Sequence, residues 1–217
     1  MAWNTILFDL DGTLTDPAEG ITKAVEAALN HYGITVADRA ALHKFIGPPL
    51  DESFPEFYGF DAAQTAEATE VFRAYFDRQG WRENIPYPGV EDMLRDIRAA
   101  GKRLLVATSK PEVFALRIME HFGLARYFDH ICGAPMDNQE GAKKAAVIRD
   151  ALRRAGVEDL STAVMVGDRR HDIDGARQAG LEAMGVLWGY GDRQELEAAG
   201  AAYIVEDIPG LRQLLLG

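Results

Sequence analysis

The chain has 217 residues, 47% hydrophobic and 26% charged, which suits one good-sized globular domain or a core with a modest insertion. Its formal charge is −11, from 23 basic against 34 acidic residues. With no basic tract, that argues against a nucleic-acid polymer or an anionic membrane as main partner and leaves a small phosphorylated ligand open. The single cysteine, Cys132, cannot form an internal disulfide and reads as a core residue. No stretch approaches the ~20 apolar residues of a membrane span. The start "MAWNTILFDLDG" lacks the basic flank and cleavage site of a secretory signal, so a cytoplasmic protein is expected. Oligomeric state is not legible.

In chain order, short β-rich runs alternate with amphipathic stretches: "NTILFD", "RLLVATS", "HIC", "AVMVGD", "AMGVLW" and "AYIV" are the expected strands. This is the pattern of an α/β fold with a parallel sheet. Between the first two strands lie about ninety residues without a convincing strand. Asp16 and Pro17 there resemble an N-cap and a first helical residue. Ile21, Val25, Ala28, Leu29 and Tyr32 then recur at helical spacing up to Gly33. Further helical pieces are expected around 37–45 and 62–80, with "IGPPL" and "YGFD" between them. The expected division is a core of 1–16 and 85–217 with a helical cap of 17–84. A helix over 111–122 closes at Gly123.

Asp9, Asp11, Thr108 and Asp168 all fall at carboxyl ends of expected strands, where open α/β sheets bind ligands. The helical insert emerges beside them, so the expected site is a cleft between core and cap. If extended geometry continued through "DLD", Asp9 and Asp11 would project to one side, and Gly12 would allow a tight turn. Two carboxylates ~4 Å apart repel by roughly 4 kcal/mol at an effective dielectric near 20. A fold tolerates that only with a cation bound or a proton on one partner. Oxygen ligands favour Mg²⁺, and a protonated aspartate is a general acid.

"DLDGTLTD" resembles the first motif of the haloacid dehalogenase superfamily of hydrolases. "LLVATS" resembles its second, Lys144 in "AKKAAVI" its third and "VMVGDRRHD" its fourth. The likeness runs the full length, through "FIGPPL" and the ending "GYGDRQELEAAGAAYIVEDI", and is greatest to the phosphoglycolate-phosphatase-like and 5′-nucleotidase-like branch with a helical cap. The resemblance implies a Rossmann-like α/β core with an inserted α-helical cap, and a Mg²⁺-dependent phosphomonoesterase. Its substrate would be a small phosphorylated metabolite, with a nucleoside 5′-monophosphate first, then phosphoglycolate or a sugar phosphate.

It also implies roles. Asp9 would be the nucleophile and metal ligand. Asp11 would ligate metal through its backbone carbonyl and leave its side chain for proton transfer. Thr108 would bind phosphoryl oxygens, and positive charge would come from Mg²⁺, Lys144 and the helix N-terminus after Thr108. Ser109 is either a phosphate-site residue or an N-cap, and Lys110 reads as a solvated side chain at the rim. Lys144 is favoured over Lys143, and the commoner Lys-Pro-x-Pro form of the motif is absent. Asp168 would ligate metal directly. Asp172 would ligate it or hold a metal-bound water, unless it is only a helix N-terminal acid, the role expected of Asp174. Gly47, Pro48 and Pro49 form a loop that would face the substrate or merely join two helices. The five histidines form no ligand-spaced cluster, which disfavours zinc. Trp3, Trp81 and Trp188 read as packing residues. A phosphomutase or a catalytically silent module are the alternatives, and Asp11 argues against a dehalogenase.

Overall fold

Four residues, Thr5–Phe8, form strand β1, and all four are buried. The computed structural model describes residues 3–136, 141 and 143–217; Met1, Ala2 and the Ala142 of "AKKAAVI" lie outside them. Two-residue strands, β2 (Thr15–Asp16) and β3 (Ile85–Pro86), stand at either end of the segment expected to be helical. The main sheet adds β4 (Arg103–Pro111), β5 (His130–Ala134), β6 (Ala163–Gly167), β7 (Glu182–Val186) and β8 (Tyr203–Val205). Its order is β5-β4-β1-β6-β7-β8, all parallel. Parallel strands covered on both faces read as unbroken apolar runs. Leu7, for example, lies level with Leu105 on one side and Met165 on the other.

The order has a functional consequence. From β1 the chain builds outward through β4 and β5, then crosses back to lay β6 on β1's other side. The reversal puts the carboxyl ends of β1, β4 and β6 together at a switch point, where this topology opens a crevice.

By internal packing the chain divides into two units, Met1–Asp16 with Pro86–Gly217, and Pro17–Ile85. The second is helical: α1 (Ala18–His31), a 3₁₀ segment Arg39–Phe45, α2 (Leu50–Tyr58) and α3 (Ala62–Arg78). It is held by α1 against α3 and by an aromatic cluster, with Phe45–Phe54 at 5.2 Å and Phe54 stacked on Phe60 at 5.6 Å. Gly47, at φ +102°, leads through Pro48 to Pro49, the N-cap of α2. Residues 39–45, expected as ordinary helix, are 3₁₀ instead. They begin at Asp38, whose side chain accepts the Ala40 N–H.

The first unit carries α4 (Val90–Ala99), α5 (Glu112–His121), α6 (Lys144–Ala155), α7 (Arg170–Ala179), α8 (Arg193–Ala199) and α9 (Ile208–Leu216). Val90, Met93, Leu94 and Ile97 bury one stripe of α4. Val147, Ile148, Ala151 and Leu152 of α6 and Ile173 and Ala176 of α7 pack with Leu7, Leu105 and Met165 of the sheet. Cys132 belongs to this core, and burial pushes its thiol up to about 11. Among the described residues no helix is long and apolar enough to cross a membrane.

Two expectations about helix starts are corrected. Asp16 does not cap α1: the N-cap is Pro17, without a side-chain bond, and the Asp16 carboxylate accepts the Tyr190 hydroxyl instead. The helix expected over 111–122 is present as α5, starting at Glu112 after β4 has run on to Pro111. Ser109 is not that helix's cap, which is Pro111.

Candidate active site

β1 stops at Phe8, and the chain turns sharply around Leu10, whose carbonyl accepts the N–H groups of Thr13, Leu14 and Thr15. Gly12, at φ +83°, makes the turn possible. Extended geometry therefore does not continue through "DLD", and the two acids acquire different partners. Asp9 lies with Asp168 and Asp172, their carboxylate oxygens all within 4.8 Å of one another. Asp11 is not in that group; its Oδ2 lies 2.8 Å from Lys110 Nζ. Lys110 is thus no solvated rim residue, since only 6% of its side chain is exposed. Each of the two acids faces a different lysine, Asp9 facing Lys144 and Asp11 facing Lys110.

The lysine of Asp9 is Lys144, at the start of α6. Its Nζ lies 2.8 Å from Asp9 Oδ1 and 2.7 Å from Asp172 Oδ1, and donates to the Ala107 carbonyl at 3.2 Å. Its neighbour Lys143 is exposed, so Lys144 is the one that points inward. Burial opposes its charge, but Asp172 and Asp9 outweigh that and raise its pKa. Gly175 of α7 makes room, since a Cβ there would lie 2.6 Å from Lys144 Cγ.

Asp168 follows β6 and is fully buried. Thr13 donates its hydroxyl to Oδ1 at 3.2 Å, and the Tyr190 N–H donates to Oδ2 at 2.8 Å. Asp172, in the first turn of α7, accepts the Arg169 N–H at 3.0 Å. It is therefore both a helix N-terminal acid and a member of the cluster. Asp174 is bland, paired with Arg177 on its own helix.

Thr108, Ser109 and Lys110 emerge where the β4–β5 register slips between Ala107 and Pro111, an irregularity of the kind that re-aims side chains. Thr108 is buried, and its hydroxyl accepts the Lys110 N–H at 3.2 Å.

Three buried carboxylates with one ammonium, paired to Asp9 and Asp172, leave net negative charge in a dry place. Burial first, then Asp172 and Asp9, push Asp168 well above the usual carboxylate range. Burial lifts Asp172 to about 6 despite Lys144. The Oδ1 atoms of Asp9 and Asp172 are buried without a well-aligned hydrogen bond, having only their ion pairs to Lys144. An all-oxygen, net-negative donor set with orphaned acceptors fits a hard divalent cation. Among the described residues this group contains no histidine or cysteine.

A strap after β7 completes the site. The Trp188 indole N–H donates to the Thr13 carbonyl at 3.0 Å, so Trp188 pins the acidic turn besides packing. A Cβ on Gly189 would lie 2.4 Å from Asp168 Cβ, and one on Gly191 2.0 Å from the Asp168 carbonyl oxygen. Thr13, Gly189, Tyr190 and Gly191 were not singled out in the sequence, and Lys110 and Trp188 were read there as rim and packing residues. The available signal was "GYG" just beyond a strand, two glycines where backbone approaches closely. Gly47, Pro48 and Pro49 belong to the other unit.

Comparison with known proteins agrees with this chemistry. The family model described as haloacid dehalogenase-like hydrolase matches residues 6–186. A protein named 5′-nucleotidase from Pseudomonas aeruginosa is 42% identical over 215 residues, 99% of this chain and 96% of that protein. A protein named tyrosine-protein kinase PtkA from Mycobacterium tuberculosis is 42% identical over 187 residues; the match covers 86% of this chain but only 62% of the relative. The crystal structure of a predicted phosphatase from Clostridium acetobutylicum superposes with a TM-score of 0.95 at 45% identity, covering 100% of this chain and 99% of that one.

Proposed function

The chain belongs to the haloacid dehalogenase-like hydrolases, as one of their phosphatases, and we propose that it hydrolyses small phosphomonoesters with Mg²⁺ through an aspartyl-phosphate on Asp9. The observation that carries this reading is the setting of Asp9, buried with Asp168 and Asp172 and charge-compensated by Lys144.

Asp9 attacks phosphorus; its oxygen–phosphorus bond forms as the ester oxygen–phosphorus bond breaks. Asp11 gives its proton to the departing alkoxide. In the second step Asp11 takes a proton from water as the water attacks phosphorus, freeing Asp9 and inorganic phosphate. Thr108 and Ser109 hold phosphoryl oxygens, and Lys144 offsets charge beside the nucleophile. A divalent cation held by Asp9, Asp168, Asp172 and the Asp11 backbone carbonyl would add positive charge opposite the phosphate dianion. The helical unit, Pro17–Ile85, carries Gly47, Pro48 and Pro49, the substrate loop that the family resemblance implies.

A nucleoside 5′-monophosphate is the leading substrate, supported by the relative named 5′-nucleotidase over nearly the whole chain. Phosphate release from nucleotides, phosphoglycolate and sugar phosphates tests it. The highest kcat/KM is expected for a nucleoside monophosphate, abolished by EDTA and restored by Mg²⁺. Absence of release from every monoester with Mg²⁺ supplied overturns the proposal. ATP with a tyrosine acceptor belongs in the same panel, because of the relative named as a kinase.

A further inference from the structure

Asp9 and Asp11 are chemically identical and two residues apart, yet the reading above needs one to be a nucleophile and the other a proton carrier. Their surroundings differ in one respect that sequence adjacency hides. Asp9 has its carboxylate in the oxygen cluster with Asp168 and Asp172. Asp11 has Oδ2 held by Lys110 at 2.8 Å, with side chains only 11% and 6% exposed, while its Oδ1 is buried without a hydrogen-bond partner. We propose that Lys110 is a positioning residue for Asp11. By holding Oδ2 it keeps this carboxylate out of the cation-binding cluster and leaves Oδ1 as the one oxygen to exchange a proton with substrate.

Lys110 is itself fixed by backbone. Its N–H donates to the Thr108 hydroxyl at 3.2 Å, and it sits in the stretch where the β4–β5 register slips. Gly133 of β5 allows the close approach, since a Cβ there would lie 2.6 Å from the Lys110 carbonyl oxygen. The bulge thus aims Lys110 at Asp11.

This inference rests on the proposed mechanism, and the test separates the two. Steady-state kcat/KM is measured with Mg²⁺ for an alkyl ester, β-glycerol phosphate, and an aryl ester, p-nitrophenyl phosphate, whose leaving group departs without a proton. Activity in the wild type and its loss in Asp9→Asn establish the mechanism independently of Lys110. Lys110→Met is expected to lower kcat/KM for the alkyl ester on the order of 10²-fold and for the aryl ester only a few-fold. Inhibition by inorganic phosphate should not change, and Lys110→Arg should recover most of the alkyl rate. In an Asp11→Asn background, Lys110→Met should add nothing further. Equal losses on both esters, weakened phosphate inhibition, or full alkyl activity in Lys110→Met would each overturn the assignment. Circular dichroism checks each fold, with Lys110→Gln as substitute if the methionine variant does not fold.

Discussion

Asp9 depends on a single cation, Lys144, which it shares with Asp172. Because Asp9 lies among buried carboxylates, with Asp168 and Asp172, Asp9→Asn removes repulsion as well as a nucleophile. Activity toward p-nitrophenyl phosphate should fall by ~10³-fold or more, while the melting temperature without metal should not drop. A variant with near-normal turnover, or one that unfolds, would contradict this account. At this scale the sequence showed the acids and favoured Lys144 as the inward lysine, but not the partner of Asp11. Nothing in "TSKP" distinguishes a lysine facing water from one facing Asp11, because the choice depends on a register slip between strands β4 and β5.

At the scale of elements, the strap Trp188–Gly191 shows how a loop can hold a site without contributing a reacting group. Its Tyr190 N–H and hydroxyl reach Asp168 and Asp16, and Trp188 reaches the Thr13 carbonyl. Gly191→Ala would place a methyl 2.0 Å from the Asp168 carbonyl oxygen, and backbone cannot step aside as a flexible side chain can. A loss of about 1–3 kcal/mol is expected, with displacement of Asp168 and a marked drop in kcat. Gly200→Ala is the control. Unlike Gly191 it is left-handed, at φ +85°, and it has nothing within 4 Å, so its alanine should cost stability without touching activity. If both variants lost activity alike, the strap would have no special role. The strands were legible as apolar runs. The end of β4 and the start of α1 were not, because local signals lost to distant partners. Asp16 looks like a cap in its own neighbourhood, yet Tyr190, 174 positions away, takes its carboxylate.

For the whole molecule, the negative cluster links folding to pH and to metal. Burial lifts the Asp172 carboxyl to about 6 from its ordinary value near 3.8, so the fold favours the protonated form. Its stabilising contribution is therefore full below pH ~4 and disappears as pH rises through about 6. The proposed divalent cation would bind the ionised carboxylates and restore what deprotonation removes. Added Mg²⁺ should raise the melting temperature clearly at pH 7.5 and little at pH 5. A shift that is the same at both values, or absent at both, would show that these acids do not bind the metal.

Strand–helix alternation, the acids at strand ends and the order of four motifs are properties of the chain read locally. They were sufficient to identify a Rossmann-like parallel sheet and a phosphatase of the haloacid dehalogenase-like hydrolases. Periodicity and spacing survive folding unchanged, which is why they can be read in advance. Pairing between charges and backbone acts through space, and only the folded chain brings the competitors together. The tertiary structure alone decided that Lys144 faces Asp9, that Lys110 faces Asp11, and that glycines nearly two hundred positions from β1 wall in the acids beside it.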